Sequence, residues 1–119
     1  MNLSCPLCGS TCVSLVYDPK TSLRTWECNP TKSNGIVKRL VHYSFMTRAD
    51  NVLQRILEID NYRIIIKENP IQRTIVTKHS RESMGSYYQN VCEFDGAMDL
   101  TNFDKEKFLK KLKTYTVFA

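Results

Sequence analysis

The stretch VLQRILEIDNYRIIIKENPIQRTIVTK, residues 52–78, decides the fold of this chain. Two apolar, β-branched segments, 52–59 and 62–67, stand on either side of Asp60-Asn61. Both turn residues tolerate the left-handed conformation that a tight hairpin requires, so the pattern predicts two antiparallel strands. A third β-branched segment, 73–78, follows a short break and predicts that the chain continues as an antiparallel meander.

A shorter hairpin is predicted upstream of this stretch. Segments 14–17 and 23–28 have the composition of strands, and the polar turn 18–21 between them contains Pro19, which restricts the turn backbone. After a polar loop, the segment 36–46 has the alternating pattern of a further strand.

Downstream, the sequence predicts one more strand and a helix. A polar loop at 80–86 precedes a strand at 87–94, while 51–58 has a second interpretation as a helical turn. The capping pattern Thr101-x-x-Asp104 opens the helix. Its apolar residues recur at helical spacing on one side: Phe108, Leu109, Leu112 and Tyr115. We expect this amphipathic helix to cover one face of the sheet.

Length and composition limit the class of protein. The chain has 119 residues, 42% of them hydrophobic and 24% charged, which is typical of one soluble globular domain. Residues 1–16 lack the pattern of a signal peptide, and no apolar run approaches the ~20 residues that span a bilayer. We therefore expect a cytoplasmic protein without membrane contact. The 32 Asn, Ile, Lys and Tyr residues, against 7 Ala and Gly, fit a phage, another virus or a low-GC bacterium.

Five cysteines are distributed unevenly along the chain. Cys5, Cys8, Cys12 and Cys28 fall in the first quarter, and Cys92 stands alone. In a reducing compartment, clustered cysteines bind metal more often than they form disulfides. The distribution therefore predicts a metal site near the N-terminus, with Cys92 as a core thiol.

The string CPLCG at residues 5–9 is the most specific motif of the sequence. Two thiolates separated by two residues can bind one cation from a single tight turn. Pro6 restricts the turn backbone, and Gly9 permits the positive φ that lets backbone N–H groups face the sulfur atoms. Cys28 ends the second hairpin strand and is the best third ligand.

This motif, followed by a hairpin that ends in Trp26-Glu27-Cys28, resembles a zinc ribbon of the CPxCG zinc-knuckle type. The resemblance covers about residues 3–46 and implies a structural zinc site. It also implies contact with nucleic acid or the transcription machinery. A standard ribbon has a further cysteine where this chain has Thr31, so the fourth ligand lies elsewhere.

Two residues compete for the fourth position, ahead of His79, Cys92 or water. His42 gives the spacing Cys28-x13-His42, and neutral imidazole is a good zinc ligand. If Ile36 paired beside Cys28, a rise of ~3.3 Å per residue would carry His42 roughly 20 Å away, unless 29–41 looped out and back. Cys12 is the alternative, although it crowds three ligands into one short loop. We predict one structural Zn²⁺ on four ligands, with Cys12 as the alternative to the last: Cys5, Cys8, Cys28 and His42.

These segments predict an α+β fold in a single domain, 1–119. A zinc-ribbon-like β-hairpin in 1–46 packs on an antiparallel β-sheet. The part 47–119 supplies that sheet and one C-terminal amphipathic helix.

Basic and aromatic residues suggest a partner. The chain has 17 Lys and Arg against 12 Asp and Glu, a formal net charge of +5. Five lysines of the helix can follow a phosphate backbone, although a solvated helix face has the same pattern: Lys105, Lys107, Lys110, Lys111 and Lys113. Aromatic and arginine residues of the sheet can stack bases, although core packing explains the aromatics equally well: Tyr43, Phe45, Tyr62, Tyr87, Tyr88, Arg39, Arg48, Arg55, Arg63 and Arg73.

Residues suited to catalysis are few. Once His42 binds metal, His79 is the one ordinary general base near neutral pH, and no nucleophile motif or phosphate-binding loop is present. We expect a non-enzymatic protein with no small-molecule substrate. The favoured hypothesis is a small zinc-binding module that contacts nucleic acid or the transcription machinery. The alternative is an assembly or inhibitor protein that binds only proteins.

Overall fold

Strands account for most of the residues that the structure describes. The structure is a computed structural model, and it describes residues 4–9, 11–28, 42–82 and 85–115. Within these ranges there are seven strands: β1 (Cys12–Asp18), β2 (Leu23–Cys28), β3 (Tyr43–Arg48), β4 (Asn51–Ile59), β5 (Tyr62–Lys67), β6 (Arg73–Glu82) and β7 (Gly85–Asp95). One helix, α1 (Lys105–Tyr115), follows them in the described part. The α+β class is confirmed, as a mostly antiparallel sheet with a C-terminal helix.

All seven strands form one antiparallel sheet, and their spatial order is their order in the chain. The sequence predicted that the N-terminal hairpin packs on the sheet. In the structure the hairpin instead extends the sheet. β2 pairs directly with β3, with Trp26 opposite Phe45. Pairing satisfies the backbone groups along one edge of β2, which packing on a sheet face would leave open. The predicted boundary between the parts 1–46 and 47–119 falls inside β3. That the chain is a single domain stays a prediction.

The central hairpin forms as predicted. Ile59 pairs with Tyr62 across a turn in which Asp60 has a φ of +52°. The helical interpretation of 51–58 is wrong, because β4 pairs with strands on both of its edges. Backbone hydrogen bonds on two sides outweigh the weak local preference for a helical turn.

Two predicted boundaries differ from the structure. β6 and β7 remain paired up to Glu82 opposite Gly85, so the predicted loop at 80–86 is wrong for most of its length. The strands continue through this polar segment because the pairing uses backbone groups, which residues other than proline supply whatever their side chain. For the strand predicted at 36–46, residues 36–41 lie outside the described residues, and β3 begins at Tyr43.

The core lies on one face of the sheet. Along β3, alternate residues Tyr43, Phe45 and Thr47 are buried, which fixes the inward face. The same face continues through cross-strand partners that are fully buried: Leu57, Ile59, Ile64, Ile66 and Val76. Apolar residues from 97–103 and from α1 pack against them. Each such side chain contributes roughly 2 kcal/mol through burial.

The helix begins one turn later than the capping pattern predicted. The Asp104 carboxylate accepts hydrogen bonds from the N–H groups of Glu106 (3.0 Å) and Lys107 (3.2 Å), so Asp104 and not Thr101 caps the helix. Thr101 instead donates its N–H to Asp99. Leu112 is buried against the sheet as predicted. No helix in the described ranges is long and apolar enough to cross a bilayer.

Candidate metal centre

The first two cysteines occupy a tight turn beside the sheet. Ser4 and Thr11 form an antiparallel bridge, and the Gly9 N–H donates to the Cys5 carbonyl at 2.9 Å. Gly9 has a φ of +71°, which confirms the conformational role predicted for it. The turn returns the chain to β1 within seven residues of Cys5.

The other two candidate ligands come from neighbouring strands. Cys28 is the last residue of β2, and His42 immediately precedes β3. Because these strands are antiparallel partners, the end of one lies beside the start of the next. The His42 carbonyl also accepts a hydrogen bond from the Glu58 N–H at 2.7 Å, which attaches it to β4. Residues 29–41, which connect Cys28 to His42 in the sequence, lie outside the described residues.

The four predicted ligands lie together at this end of the sheet. One ligand atom from each residue is within 4.8 Å of the others: Cys5, Cys8, Cys28 and His42. Two sulfur atoms bound tetrahedrally to one zinc ion at ~2.3 Å stand roughly 3.8 Å apart. The observed spread is close to that of a coordination sphere, so the group can hold one metal ion.

Backbone amides support the sulfur atoms. The N–H groups of Leu7 and Cys8 donate to Cys5 Sγ at 3.4 and 3.5 Å, and the N–H of His42 donates to Cys28 Sγ at 3.3 Å. Hydrogen bonds to a thiolate stabilise its negative charge and orient its lone pairs. These three donors therefore suit sulfur atoms that act as charged ligands.

One nitrogen of the candidate ligand His42 is unsatisfied. His42 Nδ1 is buried and has no hydrogen-bond partner among the described residues. A buried polar atom without a partner costs about 1–3 kcal/mol. Coordination of a cation through Nδ1 would remove that cost. The orphaned nitrogen is thus independent support for a metal ligand at His42.

Burial also affects the thiols. It raises the pKa of Cys5 to about 12, an effect larger than that of the two amide hydrogen bonds that lower it. A thiolate at such a position needs a cation nearby, because desolvation penalises an isolated charge. A divalent metal supplies that charge and displaces the thiol proton.

Cys12, the alternative fourth ligand, is close to this group but not part of it. It is buried on β1 directly opposite Cys28. Burial, together with the nearby thiols of Cys28 and Cys8, raises its pKa to about 11. Cys12 thus lies beside a ligand, as a neighbour of the group.

Cys92 lies far along the sheet, on β7 opposite Val76. Together with Phe108 and Leu112 it lines a cavity of about 230 Å³ beneath the helix. Burial raises its pKa, as for a core thiol. The prediction that Cys92 is separate from the metal site agrees with this position.

The five lysines of α1 are all exposed: Lys105, Lys107, Lys110, Lys111 and Lys113. Lys105 forms an ion pair of 3.4 Å with Asp60, at the turn between β4 and β5. Glu106 is the one acidic residue on the helix. The helix thus presents mostly positive charge to solvent.

Most of the aromatic and arginine residues singled out in the sheet have structural roles. Tyr43 and Phe45 are core residues. Arg55 pairs with Glu68, Arg63 with Glu58, and Arg73 with Glu93 and Asp95. His79 packs against Tyr88, with ring centroids 5.0 Å apart. Arg48 is exposed, Tyr62 is half-buried, and Arg39 lies outside the described residues.

Sequence reasoning missed a second aromatic and basic group, formed by Tyr17, Arg24 and Trp26. The register of β1 and β2 shifts between Ser14 and Val16, which places Tyr17 opposite Arg24 and on its face of the sheet. Strict alternation from Ser14 would place Tyr17 on the other face. No sequence pattern indicates the bulge. The one available signal for the group of Tyr17, Arg24 and Trp26 was the alternation of Arg24 and Trp26 along β2.

Comparisons with protein-family models, with curated proteins and with solved structures found no match to this chain. No family match therefore supports the resemblance to a zinc ribbon. What the structure adds is the meeting of three cysteines and one histidine in a group able to bind a metal ion.

Proposed function

We propose that this chain is a non-enzymatic zinc-binding protein in which one Zn²⁺ fastens the N-terminal turn to the sheet. The single observation that supports this most is the approach of four ligand atoms to within 4.8 Å of one another. Sulfur and imidazole donors in a four-ligand set favour zinc over the oxygen-seeking cations Mg²⁺ and Ca²⁺. The cluster draws one ligand pair from the turn and one from the sheet.

The donor set indicates a structural role for this ion. Three thiolates and a neutral imidazole give the centre a net charge of −1, which leaves the metal weakly electrophilic. Four protein ligands also leave no coordination position for a reacting water molecule. The ion would therefore hold Cys5 and Cys8 against Cys28 and His42.

Metal analysis tests this proposal. We expect the purified protein to contain about one zinc per chain, and Cys5→Ser to lose it. Cys92→Ser is the matched control, because it changes a thiol outside the group and should retain the metal. A folded wild-type protein without metal, or equal zinc content in both variants, would contradict the proposal.

We further propose that the helix contacts nucleic acid. The supporting observation is the exposure of five lysines on α1 with a single acidic residue among them. Five phosphate contacts give a salt slope of about −3.5 on a single strand, so affinity should fall roughly 100-fold between 50 and 200 mM salt. The alternative is a protein partner, for which no such slope is expected.

Titration of a labelled single-stranded oligonucleotide at several salt concentrations tests the contact. Replacing Lys107 and Lys110 by glutamine should weaken binding and reduce the slope by about 1.4, since each contact contributes about 0.7. Lys67→Gln, an exposed lysine on β5, is the control and should leave the slope unchanged. Absence of binding at 50 mM salt would contradict nucleic-acid contact while leaving the zinc proposal intact.

A further inference from the structure

The inward face of β1–β3 is covered unevenly. At the metal end, Cys12 and Cys28 are buried. At the opposite end of the same strands, Tyr17 is 50% exposed and lines a cavity of about 290 Å³. The other residues lining this cavity are Ser22, Arg24, Trp26, Thr47 and Ala49. Ligand pockets start at about 300 Å³, so this one suits a single flat ring system.

The Trp26 side chain of this cavity is held in a fixed position. The indole N–H of Trp26 donates to Thr47 Oγ1 at 3.1 Å. The Trp26 ring stacks on Phe45, with centroids 5.7 Å apart and planes 7° from parallel. Rigid aromatic rings bind a flat partner at little cost in conformational entropy.

Arg24 supplies positive charge at the same place. Its guanidinium carbon lies 4.7 Å from the centre of the Tyr17 ring and 5.7 Å from that of Trp26. The Arg24 guanidinium donates a hydrogen bond to Ser14 Oγ at 3.4 Å. No carboxylate pairs with it in the described part of the chain. A guanidinium of this kind, set among aromatic rings, attracts an anion that carries a planar group.

A second arginine and tyrosine pair in the same sheet provides an internal comparison. Arg63 lies 4.2 Å above the ring of Tyr88, which is 47% exposed. There, however, the charge is neutralised by Glu58 at 2.8 Å, and the guanidinium donates to the Tyr88 hydroxyl. The two arginine–tyrosine stacks thus differ in one respect: Arg63 is paired with a carboxylate, and Arg24 is not paired with one among the described residues.

From this geometry we infer that Tyr17, Arg24 and Trp26 form a base-stacking site for single-stranded nucleic acid. A base stacks on the face of the exposed Tyr17 ring that Arg24 does not cover, and the adjoining phosphate pairs with Arg24. This inference deepens the nucleic-acid contact proposed for the helix and rests on it. The charge of Arg24 favours a phosphodiester chain over an uncharged peptide, which would leave that guanidinium without a counterion.

The chain offers a direct probe, because Trp26 is its single tryptophan. We would titrate the zinc-loaded protein with an oligothymidylate of twenty nucleotides and follow indole emission together with the anisotropy of labelled strand. Binding should change Trp26 emission. Tyr17→Ala should weaken affinity by at least about 5-fold, as expected for loss of one stacked base. Arg24→Ala should weaken it and lower the salt slope by about 0.7.

Tyr88→Ala is the matched control and should stay within about 2-fold of wild type. Tyr17 lies exposed on an edge strand, and zinc content with thermal unfolding verifies that each variant is folded. Binding with unchanged Trp26 emission and equal affinities for the Tyr17 and Tyr88 variants would overturn the stacking site, while the lysine contact would stand. Absence of any binding at low salt would overturn both. Loss of affinity in the Tyr17 and Arg24 variants alone supports the inference.

Discussion

Strands β4 to β6 and strands β1 and β2 belong to one sheet, yet they bury different kinds of side chain. In the centre, Leu57, Ile64 and Val76 are fully buried beneath the helix and the segment that precedes it. At the N-terminal edge, the residues of β1 and β2 that the structure describes as buried are Cys12 and Cys28, while Tyr17 on the same face is 50% exposed. The centre has an apolar core, and the edge has thiols.

The difference shows where each region obtains its stability. Burial of branched apolar side chains stabilises the centre without any bound partner. In the described part of the edge, β1 and β2 bury thiols where the centre buries branched apolar side chains, as is common in small units that depend on a metal. We therefore expect the two regions to respond differently to loss of zinc.

The largest effect should follow from removing a ligand. Cys28→Ser is expected to weaken zinc binding by more than about 100-fold, because loss of a ligand costs more than loss of a supporting hydrogen bond. Amide hydrogen exchange should then accelerate in β1 and β2 and stay slow in β5. An equal acceleration in all strands would show that the two regions are one cooperative unit.

A substitution that creates a cavity in the centre should lower the free energy of unfolding and leave zinc binding unchanged. Ile64→Ala removes three methyl or methylene groups from a fully buried position and should lower the free energy of unfolding by about 2–5 kcal/mol. Denaturant unfolding measures this loss, and zinc content should remain about one per chain. Loss of zinc in this variant would indicate that the metal site depends on the central core.

The centre was the more predictable region. The β-branched runs around Asp60-Asn61 gave the correct hairpin, because strand composition and turn chemistry agree there. For the edge, the spacing of Cys5 and Cys8 predicted a shared site, since two such residues in one turn can face one ion. Local pattern was sufficient for both.

Two features depend on long-range geometry: the spacing named His42 as a ligand without fixing its position, and the position of Tyr17 was missed. The approach of His42 to Cys28 depends on where β3 starts pairing, and a strand starting at residue 36 would have separated them. The position of Tyr17 depends on the bulge in β1, which changes the face of every residue beyond it. Amino-acid composition predicts neither the residue at which β3 starts nor the bulge in β1.

A smaller effect is expected at the helix. Asp104→Ala removes the carboxylate that accepts the N–H groups of Glu106 and Lys107 and should cost about 1 kcal/mol. Thr101→Ala is the control, because Thr101 does not cap the helix. Thermal unfolding of both variants distinguishes the two caps, and a larger loss for Thr101→Ala would contradict the assignment.

The smallest effect on the metal should come from Cys12. Cys12→Ala is expected to keep about one zinc per chain and to change zinc affinity by less than about 10-fold, because Cys12 lies beside the ligands and not among them. Competition with a chromogenic chelator measures the affinity. If Cys12→Ala lost zinc as Cys28→Ser does, Cys12 would be a ligand.

X-ray absorption at the zinc edge tests the central claim most directly, because it counts the atoms around the ion. The account predicts three sulfur atoms at about 2.3 Å and one nitrogen at about 2.0–2.1 Å. Replacing His42 by alanine should remove the nitrogen contribution alone. Four sulfur atoms in the native protein, or a protein purified without zinc, would contradict the assignment of Cys5, Cys8, Cys28 and His42.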